Sequence, residues 1–239
     1  MYTSSLLKIN KHKMNANIDN KHWALKRQYI KEVYTHVVMM LCLFSASCAV
    51  SHVIQLSYEI AMILSLLSFL GIILSVLNSE NIKFWTYFTA STLGIVIHPL
   101  IDICLNEGYH NEIYMALIGT IIIFATLTSI VAMSDSKKFL FLGGPLLSSL
   151  SLLLIGGLIN MFFLRSPIMH TIEIMSGLVI FSLYVVYDTS VILNRTEFQI
   201  NDFNCIIDAM NIFLDIINIF VHILEMLIKN KKENTKKNK

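Results

Sequence analysis

The amino-acid sequence predicts an all-α integral membrane protein: a bundle of seven hydrophobic helices in which the seventh is central and carries a polar seam. Three observations predict it. Hydrophobic residues make up 55% of the 239 and charged ones 14%, with a mean hydropathy of +0.66, a composition found in membrane proteins rather than soluble domains. Seven apolar stretches, with approximate limits 33–56, 60–77, 84–105, 113–133, 139–164, 169–193 and 205–228, are each about long enough to cross a bilayer as a helix. In the last of them Asp208, Asn211, Asp215, Asn218, His222 and Glu225 recur every three or four residues, while every other residue from Ile206 to Met226 is apolar. That step keeps the six polar side chains on one helical face.

In chain order, residues 1–32 form a basic arm with Lys8, Lys11, Lys13, Lys21, Lys26, Arg27 and Lys31 against Asp19 and Glu32. Its beginning has too little apolar content for a core and is expected to be disordered. From Trp23 a helical pattern (Trp23, Tyr29, Ile30, Val33) leads into the first span. The arm has no apolar run followed by a small-residue cleavage site, so the first span itself is expected to direct insertion. The transmembrane bundle occupies 33–228, with short connections that hold most of the remaining charge. Pro99 is expected to kink the third span, Pro145 lies early in the fifth after Gly143 and Gly144, and Pro167 stands in a turn. Residues 229–239 form a lysine-rich tail, with Lys229, Lys231, Lys232, Lys236, Lys237 and Lys239 against one glutamate.

The two basic ends create a conflict. Both are drawn to the cytosol by the positive-inside rule, yet seven full crossings put them on opposite sides. Six crossings plus a re-entrant or protein-buried last segment would reconcile them, and on that reading both termini are cytosolic. The terminal Lys236-Lys237-Asn238-Lys239 then resembles a dilysine retrieval signal for the endoplasmic reticulum, a pattern that chance often produces in a lysine-rich tail. The sequon Asn194-Arg195-Thr196 falls in a cytosolic connection on the same reading, so no glycan is expected there. Cys42, Cys48, Cys104 and Cys205 lie inside apolar segments without CxxC spacing, which indicates neither a disulfide framework nor a zinc site. The end-weighted basic charge suits anionic lipid and topology control, not nucleic acid.

The chemistry gathers in the last two segments. Asp188, in Tyr184-Val185-Val186-Tyr187-Asp188-Thr189, shares a helical face with Tyr184, Gly177 and Glu173. Successive segments therefore each present an aspartate, Asp188 and Asp215, on a polar or small-residue stripe. If the two meet, both cannot easily ionise in a low-dielectric site, so the pair holds one proton and titrates as a unit. With the amides of Asn211 and Asn218 it also offers oxygen ligands to a hard cation such as calcium. Asp208, Asn211, Asn218, His222 and Glu225 extend the pair into a candidate ion path, since ionisable groups inside membranes usually mark such paths. The alternative is a buried, satisfied hydrogen-bond network that glues helices together. His98 with Asp102, and His170 with Glu173, read as interface groups near segment ends, while His36 and His52 each stand alone.

Several pieces together resemble the Bax inhibitor-1 (transmembrane BAX inhibitor motif) family: Lys31-Glu32-Val33-Tyr34, the run from Phe139 to Gly144 into Ser148-Ser149-Leu150-Ser151, Tyr187-Asp188-Thr189, and Phe213-Leu214-Asp215 with the lysine-rich tail. The resemblance runs from about Lys26 to the end. It implies a helical bundle in the endoplasmic reticulum membrane and a pH-sensitive calcium leak linked to suppression of cell death. The sensing pair would stand at Asp188 and Asp215, pH dependence would involve the basic tail, and Bcl-2-type apoptosis regulators would be partners. Calcium enters as the transported ion, and no cofactor is implied. Two positions depart from the pattern: segment 60–77 lacks the arginine that some bacterial relatives place there, and Ser190 stands where glutamine is frequent.

Three other readings compete. Intramembrane aspartyl proteases also use Tyr-Asp on one segment and an aspartate on the next. They carry Gly-x-Gly-Asp at the second motif, where this chain has Phe213 and bulky Leu214 before Asp215, so an enzyme is not expected. A non-conducting scaffold acting through partners would leave the seam as glue. A heptahelical receptor is disfavoured, because neither Asp-Arg-Tyr nor Asn-Pro-x-x-Tyr occurs.

Overall fold

The computed structural model describes the backbone of residues 2–54, 58–77 and 80–237, and side chains from Trp23 to Thr235 apart from Glu197 and several in the second helix. Seven α-helices follow in order: α1 (Tyr2–Ile54), α2 (Tyr58–Leu77), α3 (Ile82–Asn106), α4 (His110–Met133), α5 (Gly143–Ile159), α6 (Pro167–Asn194) and α7 (Asp202–Lys237). A 3₁₀ stretch, Ser136–Leu142, leads into α5, and one π turn, Asn160–Leu164, leads out of it. Among the described residues, six of these stretches are long and apolar enough to cross a membrane: 23–54, 82–106, 110–133, 136–164, 167–194 and 202–235. α2 is a further apolar helix of 20 residues. The arm expected to begin disordered is helical from Tyr2, continuous with the first span.

Local chemistry sets the turns. Gly108, at φ 78°, reverses the chain between α3 and α4 in a left-handed conformation that costs other residues about 1–2 kcal/mol. Between α5 and α6 the Asn160 side chain accepts from the Ser166 amide at 2.9 Å, the Ser166 hydroxyl caps α6 by accepting from the Met169 amide, and Pro167 takes the first helical position. Pro99 is held inside α3, which continues through it to Asn106.

α7 is the axis. It packs on α1, α3, α4 and α6, and 44% of its most apolar window is buried, against 11% for the α5 stretch. Two clusters share it. Tyr29, Val33, Val37, Met40 and Phe44 of α1 close on Cys205, Ile212 and Phe213. Further along, Ile219, Phe220, Ile223 and Leu224 meet Cys104, Ala116 and Val185. The outer faces are as apolar as the core: Ile121, Leu152 and Phe163 are 64%, 71% and 81% exposed, the pattern of surfaces that face lipid.

One close approach governs α1 against α3. A Cβ on Gly94 would collide with the Phe44 carbonyl oxygen and the Ser47 hydroxyl. A serine can rotate but a helix backbone cannot, so Gly94→Ala is expected to destabilise the bundle by roughly 1–3 kcal/mol. Gly156→Ala, at a site with nothing within 4 Å, should not. Thermal unfolding in detergent compares the two, and equal melting temperatures would refute this account of the α1–α3 contact.

The start of the first span and the end of α7 lie at opposite ends of the bundle. Near the start of α7, Asp202 pairs with Lys83 and Asp208 with Tyr29. At its other end Lys231 reaches Glu112 at 2.6 Å and Lys232 reaches Glu107 at 3.0 Å, both ammonium groups lying over the Tyr109 ring. α7 runs unbroken between these points, neither re-entrant nor interrupted. The tail lysines are thus partly neutralised by the α3–α4 connection, which a count of charges does not register. The dilysine reading rests on Lys236 to Lys239, which lie outside the described side chains. The sequon connection does share the arm's end, where Asn194 donates to Ser136 at 2.9 Å.

Candidate functional site

The seam on α7 meets a different partner at nearly every step. Asp208, 3% exposed, is a clamp. It accepts from the Tyr29 hydroxyl at 2.7 Å and from the Arg195 Nε and Nη2 at 3.0 and 2.5 Å. This bidentate geometry ties α1, the α6–α7 connection and α7 together. The hydrogen bonds that Arg195 donates to Asp208 favour the charged guanidinium and raise its pKa above the ordinary value.

Two turns further, Asp215 meets Asp188 of α6. The carboxyls lie within hydrogen-bond reach of each other, 4% and 7% exposed. They line one wall of a cavity of about 480 Å³ together with Tyr184, Tyr187, Asn211 and Asn218. The amide NH₂ of Asn218 is spent on the Leu214 carbonyl at 2.8 Å, which leaves its oxygen available as an acceptor. Asp215 Oδ2 is buried without a hydrogen-bond partner. Two acids in contact cannot hydrogen-bond to each other unless one carries a proton, so the pair can hold a shared proton or a cation. Its donors fit a hard cation: carboxylate and amide oxygens, with room for water.

Toward the tail, His222 stacks on Phe181 with centroids 5.6 Å apart. It packs so closely on Gly177 that a Cβ there would force the imidazole to shift. The stripe of Glu173, Gly177, Tyr184 and Asp188 on α6 therefore does face the seam. Glu225 lies in electrostatic contact with Glu173 and His170, and Glu173 Oε1 and His222 Nδ1 are both buried without partners. Beyond them the Lys229 ammonium donates to the Thr171 hydroxyl.

The sequence-predicted residues thus divide. Asp188, Asp215, Asn211 and Asn218 share one cavity, His222 and Glu225 continue the same face, and Asp208 is engaged elsewhere. Arg195 and Tyr29 were not anticipated as its partners. The signal was present: a carboxylate at the start of a buried helix needs a cation, and Arg195 is the one basic residue in its connection. His36 and His52 do not stand alone either. His36 bonds the Tyr87 hydroxyl at 2.5 Å and His52 bonds Asp102 at 3.1 Å.

Fold and site define the class first: a multi-pass helical membrane protein that brings two acids together beside its central helix. The family model for inhibitors of apoptosis-promoting Bax1 matches residues 26–232, and the chain belongs to that family. It is 29% identical over 184 residues to Bax inhibitor 1 of Bos taurus, covering 72% of this chain and 74% of that one. With Bax inhibitor 1 of Oryza sativa subsp. japonica it shares 30% over 179 residues, 72% of each. The modulator of FtsH protease YccA of Escherichia coli is 29% identical over 140 residues, 53% of this chain and 63% of that one.

Proposed function

We propose that this protein is a pH-sensitive calcium leak channel of the endoplasmic reticulum membrane that suppresses apoptosis, gated by the Asp188–Asp215 pair. The observation that carries this reading is the contact of two buried carboxyls beside a cavity lined by Asn211 and Asn218. A proton and a cation compete for such a pair, so acidity and conduction are coupled at one place. His222, Glu225 and Glu173 extend the path toward the tail's end of the bundle, about 15 Å along α7 from Asp215. Asp208, clamped by Arg195, closes the seam at the arm's end and serves as its anchor rather than as a binding step.

Family membership supports residence in the endoplasmic reticulum and Bcl-2-type regulators as partners. The arm's end, with Lys83, Lys137, Lys138 and Arg195 added to the arm itself, is the more basic and is assigned to the cytosol. The scaffold reading treats the same acids as glue, but a seam with unpartnered Asp215, His222 and Glu173 atoms is poorly satisfied glue. The protease reading shares the acid contact, yet the bulky Leu214 lines the cavity beside Asp215, where small residues would be needed for a substrate backbone to approach.

Calcium efflux from proteoliposomes, followed from acidic to neutral pH against protein-free vesicles, tests the proposal. The expected result is a protein-dependent leak that changes with pH. Efflux no faster than from empty vesicles, with the folded protein verified in the same membranes, would return the seam to a structural role.

A further inference from the structure

Apart from the acid pair, the end of α1 and the later half of α3 bring together a second group. His52 stands in the last turn of α1, and His98 and Asp102 lie one turn apart on α3. One candidate ligand atom from each lies within 4.8 Å of the others. His52 Nδ1 is 3.1 Å from Asp102 Oδ1, and the two imidazoles are tilted by 59° with centroids 5.7 Å apart. Three facts distinguish this group from a chance surface cluster. His98 is 5% exposed and its Nε2 has no hydrogen-bond partner, an omission that buried polar atoms rarely tolerate. The second oxygen of Asp102 accepts from the Asn106 amide at 3.1 Å, the outer-shell support that orients a ligating carboxylate. And both histidines line an open cavity of about 550 Å³ between α1, α3, α4 and α7, with room for water.

We infer that His52, His98 and Asp102 bind a divalent transition-metal ion of the zinc class. Two imidazoles and one carboxylate are the donors such ions take, with a fourth position left to water, whereas calcium and magnesium call for shells dominated by oxygen. Bonds of about 2.0–2.2 Å require the ligand atoms to draw together by roughly an ångström. His52, 51% exposed at the end of its helix, supplies that movement, while the helical spacing of His98 and Asp102 fixes the other two. The ion cross-links α1 to α3 and keeps its open position toward the cavity.

The test is a titration of the full-length protein, purified in detergent and stripped with chelator, with cobalt(II) as the spectroscopic probe and zinc(II) as competitor. One equivalent should develop visible ligand-field absorption that zinc abolishes. His52→Ala, at an exposed position that the fold does not depend on, and Asp102→Asn should lose it, and Asn106→Ala should bind roughly 10–100-fold more weakly. Absorption that never develops, or that persists in His52→Ala and Asp102→Asn, overturns the assignment. So does loss confined to Asp188→Asn, which would put the ion at the acid pair.

Discussion

Replacing Asp208 by alanine is expected to destabilise the protein by about 3–5 kcal/mol, the cost of stranding one member of a buried ion pair. The expectation follows from the arrangement at the start of α7. Arg195 is 18% exposed and has no second carboxylate among its hydrogen-bond acceptors in the described residues, so without Asp208 its guanidinium stays partly buried and uncompensated. The Tyr29 hydroxyl, in a side chain 2% exposed, loses its acceptor as well. Arg195→Ala should cost a similar amount by leaving the carboxylate alone. Tyr29→Phe removes one hydrogen bond to a charged group and should cost about 1.5–3 kcal/mol. Arg195→Lys should not rescue, because a single ammonium cannot replace the two-pronged contact. The double variant Asp208→Ala/Arg195→Ala should be more stable than the sum of the single changes implies, since neither charge is then stranded. Denaturation in detergent measures all of these, and an Asp208→Ala protein as stable as the unchanged one would mean that the clamp does not hold α1, α6 and α7 together.

That clamp also marks where reading the sequence stops. Periodicity gave the face of α7 from Asp208 to Glu225, because spacing alone determines which side chains share a helical face. It could not say what each face meets. Asp208 and Asp215 look alike in the sequence, seven residues apart on one stripe and equally buried, yet one meets a cation and the other an acid. The apolar cores of the helices were legible, since apolar length reports bilayer thickness directly, whereas α1 and α7 run past those cores to Tyr2 and Lys237. What the tail's lysines meet was not legible. The positive-inside rule weighs lysines as free charges, whereas Lys231 and Lys232 are paired to Glu112 and Glu107 across more than a hundred residues of sequence. His52 was read as solitary for the same reason: its partners, His98 and Asp102, come from a helix two elements away.

The contrast between the two aspartates gives the second large effect. Asp215→Asn should leave folding nearly untouched while removing the pH dependence of the calcium leak. Asparagine has the size of a protonated aspartic acid and can still donate to and accept from Asp188, so the α6–α7 contact survives. What disappears is the second ionisable group. Two full charges in contact repel, by about 4 kcal/mol at 4 Å and an effective dielectric near 20, and this repulsion is what makes the pair respond to acidity as a unit. With one acid left there is no repulsion to release and one fewer carboxylate for a cation. Asp188→Asn should therefore behave like Asp215→Asn, and the double variant Asp188→Asn/Asp215→Asn should lose no more pH sensitivity than either single change. Independent sites would instead give additive losses. The measurement is efflux from proteoliposomes for the four proteins over the same pH series, with melting temperature recorded on each preparation. If Asp215→Asn unfolds as readily as Asp208→Ala, Asp215 is structural. If the leak keeps its pH profile in both single variants, the proton is sensed elsewhere, and the Glu173, His222 and Glu225 end of the seam becomes the place to look.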